Sequence, residues 1–495
     1  MSFSLKRHYI YGVLAAWALA CLAFFLFCYP YHFFYQEQNQ VFLLTWSYVA
    51  SYGERNGWLA RLAGDFLTQF YYYLYLGPVI LTLCLLVMGD LLRRILQLIG
   101  LHRNPATWLA IIGMTIEGIF FLRAEYRLSS LIGIIGWLAG AWMVAWLVRK
   151  KRLLGLLALP VACVACWWCF GTPQLGKIGK PDFILEKNFA VDNEYYWGHY
   201  NQVEQLVEQS AYRTDIMMFF YNLVQAQKGQ LPDKLLTMEP YELGTFYQIG
   251  PETPRLVINN MNELYWALGD MTFTERAAMM THVFSRNNRN ARMIKRLAEC
   301  NLVSDDMEAA NKYLGILDHT IAYRHWAQNM RQNHKVLLQE KRKMCNQQDT
   351  VMLSDNAHFI MKLLLDSNPH NTVALDYMLC SLLLLKDIDG FKHGLVTSCT
   401  HRDATWGCLF HVSCFHFYFK RLATVIAHEE VQRGNVLGNG NVGIIGIDHW
   451  PFPCFHHIFP RTGCACCQRG ADNQQYIYGV NDNLSHSDGA LCLSK

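Results

Sequence analysis

Apolar residues in the first third of the chain fall into five long runs, at 9–30, 75–92, 108–121, 128–148 and 153–170, with lysine and arginine clustered between them. A helix needs about 20 residues to cross the roughly 30 Å hydrocarbon core of a bilayer, and a helix satisfies its own backbone polar groups there. The runs predict an N-terminal bundle of about five transmembrane helices, the third of them short. From 193 to 391 the texture changes. Apolar positions recur at helical spacing, with acids and bases interspersed as on a solvated face. The expected fold class is all-α: a transmembrane bundle, a soluble helical region and an irregular tail.

The basic clusters set an orientation. Lys6 and Arg7 precede the first run, Arg93, Arg94 and Arg103 follow the second, and Arg149, Lys150, Lys151 and Arg152 separate the last two. If these clusters stay in the cytoplasm, the N-terminus is cytoplasmic and an odd number of crossings puts everything after Phe170 outside. Loop 31–73 then faces outward, its Phe70, Tyr71, Tyr72 and Tyr73 suited to an interfacial belt. The first run continues past Ala18-Leu19-Ala20-Cys21 through Phe24 to Phe27, longer than the apolar core of a cleavable signal, so it reads as an uncleaved anchor. The chain is 52% hydrophobic and 17% charged, and its net charge of +4 comes largely from the cytoplasmic clusters. No basic stripe with interleaved aromatics suggests nucleic acid.

Domain boundaries follow the texture: a transmembrane domain at 1–171, a linker at 172–192, a soluble helical domain at 193–391 and a tail at 392–495. Helical segments are expected at 196–210, 214–228 with Gly229 as C-cap, 254–268, 274–284, 291–302, 305–317, a long 320–345, 353–365 and 372–386. Leu297, Ala298, Asn301, Ala310 and Leu314 place large and small residues as in the tetratricopeptide (TPR) hairpin, and Ala277 precedes Ala310 by 33 positions. Stacked hairpins bury their apolar faces on one another and leave a concave surface that usually binds peptides or proteins.

Three motifs stand out in the first 80 residues: Phe33-Phe34-Tyr35-Gln36-Glu37-Gln38-Asn39-Gln40, Gly64-Asp65-Phe66-Leu67-Thr68-Gln69-Phe70-Tyr71-Tyr72, and Leu76-Gly77-Pro78. With the helical region that follows, they resemble a multi-pass inner-membrane family of Bacteroidales, a domain of unknown function, over roughly residues 1–390. The resemblance implies a bacterial inner-membrane location and carries no catalytic residues.

The tail holds 8 of the 17 cysteines and 9 of the 19 histidines but little helical periodicity. Cys454, His456, His457, Cys464, Cys466 and Cys467 lack the separated pairs of a zinc site. A disulfide-bearing tail is a second reading, and translation in a shifted frame beyond about Gly390 fits the pattern best. Cys163, Cys166 and Cys169 lie inside an apolar run and read as packing residues. Cys300, Cys345 and Cys380 are three, so they cannot all pair with one another.

Glu117 lies in the third apolar run, where an ionised carboxylate is costly, and pairing with Arg123 or Arg127 is the structural explanation. Glu37 and Asp65 belong to the outward loop, where an acid could act on a substrate at the bilayer surface, although capping of a helix over 66–75 or interfacial pairing is the favoured reading of Asp65. Glu117, Arg123, Glu37 and Asp65 are thus the candidate site residues. No catalytic constellation, metal site or cofactor motif is expected. The sequence points to a membrane-anchored envelope protein that contacts membrane lipid and whose periplasmic domain binds a protein or peptide partner. The alternative is a membrane enzyme or transporter component acting on a lipid-linked or saccharide substrate.

Overall fold

The computed structural model describes residues 2–174, 176–235, 237–238, 243–246, 255–285, 289–345, 357–385, 387, 389–391 and 393–394. The tail beyond residue 394, with its cysteine and histidine candidates, lies outside these. The described residues are helical and contain no strand. They fall into two compact units, the first holding the described residues up to Leu231 and from Met238 to Tyr377, the second those between 232 and 237 and from Met378 onward.

The first unit opens with α1 (Ser2–Ala23), prolonged by a π-helical turn at Phe24–Cys28. Three short helices follow, α2 (Tyr31–Gln38), α3 (Trp46–Tyr52) and α4 (Trp58–Thr68), and then four long ones, α5 (Leu76–Leu98), α6 (Arg103–Phe120), α7 (Leu128–Lys150) and α8 (Arg152–Phe170). Among the described residues three segments, rather than five, are long and apolar enough to cross a membrane: Tyr9–Cys28, Leu128–Lys150 and Arg152–Phe170. The other two runs do form helices, but charge shortens their apolar spans. Asp90 ends the uncharged part of α5 and pairs with Arg93 and with Arg94, at 2.6 Å from the latter. Arg103 opens α6 and Glu117 is buried near its far end. Each uncharged stretch covers roughly 20 Å at 1.5 Å per residue, short of the hydrocarbon thickness. Both helices instead bury a face in a shared core with Phe25, Phe33, Tyr71, Leu81, Leu85, Met114 and Leu131. Cys166 is buried against the Gly136 carbonyl of α7, a packing position.

The 31–73 segment, expected as an outward loop, is mostly helical and much of it is inside the protein. Phe33, Phe34 and Tyr71 are fully buried. Gly64 of α4 lies so close to the start of α7 that a Cβ there would come within 2.6 Å of the Ser129 backbone. Only glycine permits that approach.

The helical region begins at Phe183, ahead of the start expected near Asn193. Asp182 caps α9 (Phe183–Tyr196) by accepting a bond from the Leu185 amide at 2.9 Å. The expected 196–210 helix is only α10 (Tyr200–Glu208), because Gly198 at φ +78° breaks the chain between them. Then come α11 (Asp215–Gln227), α12 (Leu231–Lys234), α13 (Arg255–Leu268) and α14 (Met271–Phe284). Next are α15 (Ala291–Val303), α16 (Met307–Asp318), α17 (Arg324–Leu337) and α18 (Gln339–Met344), then α19 (Ala357–Ser367) and α20 (Thr372–Leu384). The long helix expected over 320–345 is two, divided at Leu338. From α13 to α17 each helix packs on its neighbours in sequence. Ala298 and Ala310 have no exposed surface and let α15 and α16 approach closely, with Leu302, Leu314 and Leu317 filling the core beside them. Between α13 and α14, Gly269 takes φ +79°, and a Cβ on it would come within 2.6 Å of the Met344 carbonyl.

Candidate functional site

Two faces meet at the centre of the helical region. On α15, Arg292, Lys295, Arg296 and Glu299 recur at the three- and four-residue spacing of one helix face. On α13, Asn262, Glu263 and Trp266 do the same. Arg292 donates to Asp192 of α9 through both terminal nitrogens, each at 2.9 Å, and to Glu263 at 3.0 and 3.3 Å. Its fifth bond goes to Gln38 Oε1 of α2 at 3.1 Å. Arg296 donates to Glu263 at 2.6 Å and to Glu299 at 2.8 Å. Arg292, Asp192 and Glu263 are each at most 3% exposed. Burial alone would raise the Glu263 carboxyl, but the Arg296 and Arg292 guanidiniums hold it down to about 2. Burial wins at Asp192, whose carboxyl is raised despite Arg292.

This network forms one side of a cleft of about 530 Å³ between α9, α10, α13, α15 and α18. Aromatic walls carry the cations. The Arg296 guanidinium lies 4.4 Å from the Trp266 ring centre, and the Lys295 ammonium 4.5 Å from that of Tyr196. Tyr200 and Trp197 complete the wall. Lys341 enters from α18, its ammonium donating to the Trp266 carbonyl at 2.7 Å and lying 5.1 Å from the Trp266 ring centre. Among the described residues no carboxylate lies within ion-pair distance of it. Desolvation lowers its ammonium to about 8. A partly dehydrated cation with aromatic neighbours and no ion-paired acid suits an anionic group.

The sequence candidates lie elsewhere. Glu37 is buried in α2 and accepts a bond from Tyr323 at 3.0 Å, and desolvation pushes its carboxyl up to about 8. Asp65 is inside α4, not at the cap of a helix over 66–75, and accepts from Tyr52 at 2.7 Å. Glu117 accepts from Tyr126 at 2.5 Å, in place of the expected pair with Arg123 or Arg127. Arg123 is instead 4.0 Å from Glu125 at the surface. Each of the three acids is thus held by a tyrosine hydroxyl, with a different tyrosine for each.

Residues 6–176 and 172–405 match the family of unknown function DUF6057. The chain belongs to this family. No curated protein and no solved structure matches it. Within this DUF6057 member, the Gln36–Gln40 motif acquires a physical meaning. Gln36 donates to the Ala124 and Tyr126 carbonyls, and Gln38 donates to Asn193 while receiving Arg292. Asn39 receives Asn290, and Gln40 donates to the Asp65 backbone. Every side chain of the motif thus ties α2 to another part of the fold. Asp192, Glu263, Arg292 and Lys341 were missed in the sequence. The Arg292-Lys295-Arg296-Glu299 spacing was the available signal, but it reads equally as a solvated face until Glu263 is placed opposite.

Proposed function

We propose that this chain is an envelope protein of the bacterial inner membrane whose helical region binds a protein or peptide partner through an anionic group, held in the cleft at Lys341. The observation that carries the reading is the Lys341 ammonium, which has a carbonyl rather than a carboxylate as its close partner inside an aromatic-walled cleft. Acidic side chains and a free C-terminal carboxylate are the anions a peptide offers. The hairpin-like order of α13 to α17 supports a repeat of the tetratricopeptide kind presenting the cleft on a concave face. Three spans, like five, are an odd number, so a cytoplasmic N-terminus puts the helical region in the periplasm. Lys6, Arg7 and the Arg149–Arg152 cluster fall on the cytoplasmic side in that arrangement, whereas Arg93, Arg94 and Arg103, which five spans would have kept there, fall outside.

The alternative, an enzyme or transporter component, draws less support. Glu37, Asp65 and Glu117 are bonded to different tyrosines and do not assemble into one constellation. A peptide array probed with the full chain in detergent tests the main reading. Binding should concentrate on acidic peptides and peptides ending in a free carboxylate, and should disappear with Lys341→Met. Equal binding to amidated, neutral peptides contradicts it.

A further inference from the structure

A second cavity, of about 450 Å³, lies where the helical region meets the start of α7. Its walls come from α2, α4, the 124–129 stretch, α13 and α14. Leu128 and Ser129, the first residues of the membrane-crossing helix α7, form part of its lining. A cavity at the end of a span lies at the depth of lipid headgroups.

The lining chemistry is rich in acceptors. Gln36 and Gln40 spend their amide nitrogens on backbone carbonyls, at 2.9 to 3.2 Å. Asn259 directs its own amide nitrogen to Asn39 at 3.5 Å. The three side-chain carbonyl oxygens accept no hydrogen bond from another described residue. Asp65 also lines the cavity, and its carboxylate accepts from the Tyr52 hydroxyl at 2.7 Å. Phe284, 64% exposed, forms an apolar edge of the cavity. Carbonyl and carboxylate acceptors beside an exposed aromatic ring complement a ligand with several hydroxyl donors and an apolar ring face, which is the chemistry of a sugar.

We infer that this cavity binds a saccharide group, separately from the cleft at Lys341. The inference rests on the membrane placement of α7 proposed above only for the source of the sugar. A glycolipid headgroup reaches the cavity from the bilayer, whereas a free saccharide reaches it from solvent.

The full chain in nanodiscs supplies the test, read by native mass spectrometry. One arm offers discs containing a monohexosyl diacylglycerol beside phosphatidylglycerol, and the other offers the corresponding methyl hexoside to discs without it. Asn259→Leu and Asp65→Asn are the variants, the second keeping an acceptor for Tyr52. Selective retention of the glycolipid that falls on the order of tenfold or more in Asp65→Asn, the weight of one charge-assisted hydrogen bond, supports the site with a lipid source. Retention of the methyl hexoside with the same variant dependence supports it with a soluble source. Retention of neither, or retention indifferent to both variants while they melt like the wild type, overturns it. Alkaline extraction of the same membranes reports independently whether the chain is anchored, so a failure of the membrane reading shows up separately.

Discussion

Removing Arg292 is the most informative perturbation of the fold. Its guanidinium makes five hydrogen bonds, two to Asp192, two to Glu263 and one to Gln38, and so joins α9, α13 and α2 to α15. Arg292→Met keeps most of the side-chain volume but leaves Asp192 without its cation and Glu263 with Arg296 alone. Breaking a buried pair by deleting one partner costs about 3–5 kcal/mol, because the surviving charge stays desolvated. At about 2–4 °C per kcal/mol for a region of this size, melting should fall by roughly 10 °C. The sign of the pH dependence also follows. In the variant both carboxyls titrate higher than in the wild type, so acid neutralises them more readily in the folded state and the deficit shrinks as the pH falls. Thermal unfolding of the full chain in detergent, followed by circular dichroism, measures both effects. Asp192→Asn added to Arg292→Met should recover more than half of the loss. A single variant that melts within about two degrees of the wild type, or a deficit unchanged by pH, refutes a stabilising role for the network.

Other perturbations probe different parts of the molecule. Burial raises the Glu37 and Glu186 carboxyls to about 8 each, so their contribution is full below about 4.5 and is lost as pH rises through about 8. Melting should therefore drop across that window, and Glu37→Gln should flatten part of the drop, since Gln still accepts from Tyr323. Gly64→Leu forces a side chain onto the Ser129 backbone and should lower the yield of folded protein or cost several kcal/mol, scored by size-exclusion profile and melting. Tyr126→Phe removes the partner of the buried Glu117 and should cost about 1–3 kcal/mol, whereas Arg123→Ala should be nearly neutral because its partner Glu125 is exposed.

Local signals were legible in the sequence and long-range ones were not. The helices at 291–302 and 305–317 were expected almost where α15 and α16 lie, because apolar spacing and small residues at the crossing agree. The turn between α13 and α14 is local too, set by Gly269 at φ +79°. The span count failed because apolar runs were weighed without the length of their uncharged stretches, which Asp90 and Glu117 shorten. The 31–73 segment looked like a polar loop because the partners of Tyr31, Glu37, Gln38 and Asn39 lie 155 to 286 residues away. The cleft was hidden for that reason too. Lys341 reads as one more charge on a polar helix until Trp266 and the α15 face are brought around it.

The most direct test of the cleft is the binding of one acidic peptide and its amidated, neutral counterpart to wild-type and Lys341→Met protein. Fluorescence anisotropy at about pH 7 and about pH 9 brackets the lowered Lys341 value. An anion stabilises the protonated ammonium, so the acidic peptide should bind wild type more tightly at the lower pH. Both that preference and the dependence on pH should vanish in Lys341→Met, with melting close to wild type. Binding that is indifferent to peptide charge, to pH and to Lys341 contradicts anion recognition in this cleft.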